Sequence, residues 1–168
     1  MRVIDLTTTH EWSYMLCLQT WSKEMAEAAS HKARWFEQMR GRGLVVKLAV
    51  DDDDEPVGMI QTLPIEESWI DGEGLDVVLC TRVIGHEHGV ANHRSHGIGT
   101  ALLDAVEQDS RARGRLGMCA HGSALPMAMK ARWYRDRGYS SVQRDGFELL
   151  NLYDAELTAD AIQAVRAA

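Results

Sequence analysis

The stretch from Gly89 to Leu103, GVANHRSHGIGTALL, concentrates residues suited to holding an anion. Gly97 and Gly99 carry no side chain, and the apolar spacing of Ile98, Ala101, Leu102, Ala105 and Val106 predicts a helix that begins there. The first turn of a helix has backbone N–H groups without intrahelical partners, at the positive end of its dipole. Arg94 adds a permanent positive charge on the same loop, and Ser95 and Thr100 add hydroxyls. The chemistry this suits is capture of a phosphate or diphosphate. It is neither the dinucleotide fingerprint G-x-G-x-x-G nor a P-loop, since no Gly-Lys-Ser/Thr follows. A plain strand-to-helix turn with glycines for steric reasons would leave the same letters.

Other residue types bear on proton transfer and on metals. Tyr134 lies four residues before Gly138, and a phenol with an ordinary pKa of about 10 is protonated at neutral pH and can act as a donor. His86, Glu87, His88 and His121 fall at predicted strand ends and are rival bases, with histidine as a type the most suited to neutral pH, while Asp76 lies on the strand preceding the glycine loop. His86, His88, His93 and His96 cluster on one loop, yet HEH is not HExxH and no cysteine lies among them, so an exposed loop is preferred to a zinc site. Asp51 to Asp54 lack the alternating ligands and glycine of an EF-hand and read as a solvated turn. Cys17, Cys80 and Cys119 have no CxxC spacing, and burial as reduced thiols is preferred to a catalytic thiol.

The elements that must position these groups follow from pattern. Arg2 to Leu6 is a short strand, and Thr8-x-x-Glu11 is a capping box opening a helix near His10. A second helix runs from about Ser22 to Met39, with Met25, Ala28 or Ala29, Ala33, Phe36 and Met39 recurring at helical spacing, and Gly41 and Gly43 stop it. Leu44 to Val50 and Pro56 to Leu63 flank the aspartates as an antiparallel hairpin. Leu75 to Val83 is the central strand, and Gly85 to Gly89 is a small insertion after it. The glycine-loop helix ends near Arg111 to Arg113 with Gly114 as its C′ residue; Leu116 to Ala120 is the next strand. A helix from Pro126 to about Arg137, closed by Gly138, precedes a hairpin of Ser140 to Arg144 and Phe147 to Tyr153 across Asp145-Gly146. Ala155 to Ala168 forms a weakly amphipathic terminal helix.

The spacing Arg94-x-x-Gly97-x-Gly99 resembles the acyl-coenzyme-A loop of the GCN5-related N-acetyltransferases (GNAT), whose pattern is Gln/Arg-x-x-Gly-x-Gly/Ala before an apolar helix. Ala131 to Tyr139, with Tyr134 and the Gly138-Tyr139 ending, resembles the family's second signature. One helix and one strand separate the two, and the matched order spans residues 44 to 153. The Gly-x-Gly-Leu-Asp strand entry, the insertion and the Phe147 ending are also similar to the acetyltransferase portion of YoaP-like bacterial proteins. The resemblance implies an α+β domain of the acyl-CoA N-acyltransferase fold, a mixed, mostly antiparallel central sheet flanked by helices, over residues 1–168 as one domain. It implies acetyl-coenzyme A as co-substrate, bound by Val90, Arg94, Ser95, His96, Gly97, Ile98, Gly99 and Thr100. Tyr134 becomes the general acid for the departing thiolate, and Asp76 and His121 become candidate bases in the cleft. The first helix pair becomes the wall receiving the acceptor, with Trp21, Trp35 and Phe36 on it. The asparagine that many members carry seven residues before the tyrosine is Met127 here.

Composition sets the bounds. With 168 residues, 45% hydrophobic and 26% charged, the chain can bury one full core. A net charge of -7 argues against nucleic acid as a partner and is compatible with a cationic amine. No apolar run reaches the roughly 18 residues of a membrane span, and no signal-peptide core follows the N-terminus, which leads to an expected cytoplasmic location. The function expected is transfer of an acetyl group from acetyl-coenzyme A to a primary amine by direct attack, with a homodimer allowed by the resemblance. The competing readings are a noncatalytic acyl-coenzyme-A-binding sensor and a metal-dependent module built on the histidine loop.

Overall fold

A computed structural model of the chain describes residues 1–85, 97–122, 129–142 and 148–154. The described strands are β1 (Arg2–Asp5), β2 (Val45–Val50), β3 (Pro56–Pro64), β4 (Leu75–Val83), β5 (Gly117–His121), β6 (Ser140–Ser141) and β7 (Glu148–Leu152). The helices are α1 (Glu11–Met15), α2 (Lys23–Arg40), α3 (Ile98–Ala112) and α4 (Ala131–Arg135). The strands form one mixed seven-stranded sheet in the order β1-β2-β3-β4-β5-β7-β6. β4 and β5 run parallel, from Leu75↔Gly117 to Val78↔Ala120, while β1–β2, β2–β3, β5–β7 and β6–β7 are antiparallel.

By contacts the chain divides into two compact units, residues 1–62 with 80–106, and residues 63–79 with 107–168. The first has a core of Tyr14, Leu16, Leu18, Phe36, Leu48, Val50 and Met59, against which Trp21, Trp35 and Cys80 are partly buried. Phe36 meets Tyr14 edge to face at 5.4 Å, so this aromatic of the expected acceptor wall is packed into the core. Ser22 caps α2 by accepting from the Met25 N–H at 3.2 Å. The acidic turn of the β2–β3 hairpin is closed by the Asp51 carboxylate, which accepts from the N–H groups of Asp53 and Glu55.

The capping box read at Thr8 does not form. Thr8 begins a 3-10 turn, neither Thr7 nor His10 caps with its side chain, and the Thr7 hydroxyl instead meets His10 Nδ1 at 2.9 Å. His10 is buried and reaches the Asp54 carbonyl at 3.0 Å, and this tertiary contact outweighs a local cap. In the second unit Ile65, Val77 and Cys119 form an apolar cluster under Leu75 and Leu79. The expected insertion at 85–89, the Asp145-Gly146 turn and the helix at 155–168 fall wholly or mostly outside the described residues.

Candidate active site

Ile98 opens α3, and the Ala101 N–H makes an early helical bond to the Gly97 carbonyl at 2.9 Å. Gly97 has φ +78, a left-handed conformation that L side chains rarely adopt, and nothing lies within 4 Å of where a β-carbon would stand. The turn therefore stands, with open space around its α-carbon, at the head of a fifteen-residue helix, the end where backbone N–H groups have no intrahelical carbonyl to bond. Ile98 by contrast is packed inward: it is 4% exposed, and a β-carbon on Gly58 would stand 2.8 Å from its Cγ2. Burial of Ile98 against β3 thus fixes the start of the helix while Gly97 remains exposed. Gly99 and Thr100 follow in the first turn, both half-buried. Val90, Arg94, Ser95 and His96, with the histidine cluster, lie outside the described residues.

In the second unit Tyr134 lies on α4 and is 2% exposed. Its ring meets Trp133 edge to face at 5.0 Å and Tyr139 at 5.3 Å. Its carbonyl accepts from the N–H groups of Arg137 and Tyr139, and Gly138 at φ +89 turns the chain there. His121 ends β5 opposite Glu148 and is exposed. Gly122 follows it, and a β-carbon there would collide with the backbone of Ala131. That close approach brings the helix of Tyr134 to the end of the strand that carries His121.

Asp76 occupies a different setting. It is fully buried on β4, with Oδ2 accepting from Arg113 at 2.9 Å and Oδ1 lying 3.3 Å from Arg115 Nε. Arg115 also pairs with Glu66 at 2.6 Å and donates to the Leu75 carbonyl. Both carboxylate oxygens thus face guanidinium groups that join β4 to the segment after α3. The partners are 37 and 39 residues away in sequence, and no spacing rule links them.

Two polar clusters escaped the reading of the sequence. Glu107 on α3 accepts from the Tyr139 hydroxyl at 2.8 Å and from Asn151 Nδ2 at 3.3 Å. Burial, then the Glu107 charge, push the Tyr139 phenol far above its ordinary range. In the first unit Lys32 donates to the Tyr14 carbonyl at 2.5 Å and to Cys17 Sγ at 3.2 Å. A signal for Lys32 existed: three residues after Ala29 and four before Phe36, it is a charge on the apolar stripe of α2. Among the described residues no group of three or more potential ligands could hold a metal, and no helix is long and apolar enough to cross a membrane.

The described residues fit a diphosphate-bearing donor: a β-carbon at Gly97 would meet nothing within 4 Å, and the turn leads directly into the N-terminus of a fifteen-residue helix. The fold is similar to that of aminoglycoside 6′-acetyltransferase type Ii, with a TM-score of 0.61 and 21% identity over 89% of this chain and 94% of that one. It is similar to a GNAT family acetyltransferase from Brucella melitensis in complex with acetyl-CoA, with a TM-score of 0.60 and 15% identity over 91% of this chain and 88% of that one. It is also similar to ribosomal-protein-alanine N-acetyltransferase from Brucella melitensis, with a TM-score of 0.60 and 19% identity over 89% and 96%. None of the curated proteins matches this chain. The sequence model of the Acetyltransferase (GNAT) family matches residues 6–139, so the chain belongs to that family of acyltransferases, with acetyl-coenzyme A as its co-substrate.

Proposed function

We propose that the chain, acting as one domain over residues 1–168, moves the acetyl group of acetyl-coenzyme A to a primary amine by direct attack of that amine. The observation that carries this reading is the open left-handed turn at Gly97 at the head of α3, in a chain matched by the family over residues 6–139. In this reading Arg94, Ser95 and His96, with the first-turn amides of Gly97 to Thr100, hold the diphosphate, and Val90 lines the approach of the pantetheine arm.

Tyr134 donates the proton that the departing thiolate needs, and its ring is fixed for that task by Trp133 and Tyr139. Of the two described candidates for the base, the exposed imidazole of His121 is the better placed to take a proton from an incoming amine. Asp76, closed in by Arg113 and Arg115, serves as a strut. The net charge of -7 favours an acceptor that carries positive charge, and the three free thiols agree with a cytoplasmic setting.

The test mixes purified protein with acetyl-coenzyme A and a panel of amines spanning polyamines, amino sugars and peptide N-termini, and measures release of free thiol. Turnover with at least one amine, lost in Tyr134→Phe, is the expected result. Binding of acetyl-coenzyme A with no thiol release across the panel would replace the enzyme by a sensor.

A further inference from the structure

Cys17 stands just past α1, at φ +50 and followed by Leu18 at φ +61, in a turn that leads the chain back toward α2. Lys32 Nζ on α2 lies 3.2 Å from its sulfur. Both side chains are half-buried, so neither is sealed from solvent. The same amine lies 3.7 Å above the Tyr14 ring and donates to the Tyr14 carbonyl. A sulfur and an amine at this hydrogen-bond separation place the amine beside any acyl carbon that the sulfur carries, so passing the group between them would be a local, intramolecular step. Burial lowers the Lys32 amine from its ordinary value, against the opposing pull of Cys17 and Cys80, and so favours the uncharged form that can attack a carbonyl. Cys80 is different: burial pushes its thiol up and keeps it protonated.

We propose that Cys17 and Lys32 form a self-acetylation site, in which the sulfur accepts an acetyl group from acetyl-coenzyme A and passes it to the neighbouring amine. In the first step the Cys17 thiolate attacks the thioester carbonyl. A bond forms between that carbon and Cys17 Sγ, the bond to the coenzyme A sulfur breaks, and coenzyme A leaves as its thiolate. In the second step Lys32 Nζ attacks the Cys17 thioester. A carbon–nitrogen bond forms, the bond to Cys17 Sγ breaks, and the proton lost by the amine ends on the departing sulfur. Nothing is oxidised or reduced, and an amide replaces a thioester. The product turns the amine that lies over Tyr14 into a neutral amide with a single N–H left for the α1–α2 contact. The inference uses the family's co-substrate and is independent of Tyr134, Arg94 and the acceptor amine.

The experiment incubates the whole chain with acetyl-coenzyme A without an added amine and maps acetyl groups by peptide mass spectrometry. Acetyl-Lys32 is expected in the parent and in Tyr134→Phe, and about tenfold less of it in both Cys17→Ser and Cys17→Ala. Lys32→Arg is expected to hold the acetyl group on Cys17 in a form released by hydroxylamine. Equal acetylation of Lys32 in the parent and in a folded Cys17 variant would overturn the relay, as would a parent bearing no acetyl group on either residue. Acetylation of Lys32 with no turnover of any amine would sink the proposed enzyme reading and leave this one standing.

Discussion

The Tyr139 hydroxyl donates to the Glu107 carboxylate at 2.8 Å, and the same ring lies 5.3 Å from that of Tyr134. One side chain therefore links a carboxylate of α3 to the proposed proton donor. Among the described residues, Tyr139→Phe leaves that Glu107 oxygen with the longer bond from Asn151, and it is expected to cost about 1–2 kcal/mol in chemical denaturation. Turnover should fall several-fold while the KM for acetyl-coenzyme A stays put, because the ring that steadies Tyr134 has lost its anchor. Unchanged kcat would show that Tyr139 supports the fold alone.

Asp76→Asn separates a strut from a base. The substitution keeps the shape but leaves the partly exposed guanidinium groups of Arg113 and Arg115 without their shared anion. Removing one partner of a buried pair costs about 3–5 kcal/mol, and partial exposure of the arginines brings the expectation to about 2–3 kcal/mol. Activity per folded molecule, measured well below the unfolding midpoint, should change by less than about threefold. A loss of about a hundredfold or more with the fold intact would make Asp76 the base after all.

Alkaline pH should unfold the protein through its phenols. Burial is the leading cause raising Tyr14, Tyr139 and Tyr153, with Tyr153 pushed up to about 12. A group whose folded pKa exceeds its unfolded value contributes stability that is complete below the unfolded pKa of about 10 and is lost as pH rises through the folded one. Stability should thus decline from about pH 10 upward. The ultraviolet absorbance of these three phenolates should appear together with the unfolding transition. Their full ionisation near pH 10 with the near-ultraviolet dichroism intact would contradict the packing described.

Gly97→Ala and Gly58→Ala test the donor helix from its two sides. At Gly97 the cost is conformational, about 1 kcal/mol for a β-carbon at φ +78, with open space around it. KM for acetyl-coenzyme A should rise severalfold, because the methyl group enters the proposed diphosphate turn. At Gly58 the new β-carbon would press on Ile98 and Leu102, at 2.8 and 3.1 Å, and stability should fall by about 1–3 kcal/mol. Isothermal titration with coenzyme A and thermal unfolding would check both, and identical binding by parent and Gly97→Ala would remove Gly97 from the donor site.

Local pattern determined most of the elements. The β-prone apolar run of Leu75 to Val83 became β4 with those bounds, the 3.6-residue period after Gly97 became α3, and Gly114 and Gly138 took the left-handed turns that their positions required. The order of the Arg94–Gly99 and Tyr134–Gly138 signatures was enough to name the family. Tertiary structure decided the charge partners. Asp76 was legible as a polar residue on a strand, but only folding brings Arg113 and Arg115 to it, and that pairing is what supports the proposed role as a strut. Cys17 with Lys32, Glu107 with Tyr139, and His10 with the Asp54 carbonyl have the same origin. Periodicity records which face of an element is apolar, whereas an ion pair or hydrogen bond between distant residues depends on how those faces are brought together, and that placement leaves no spacing to read.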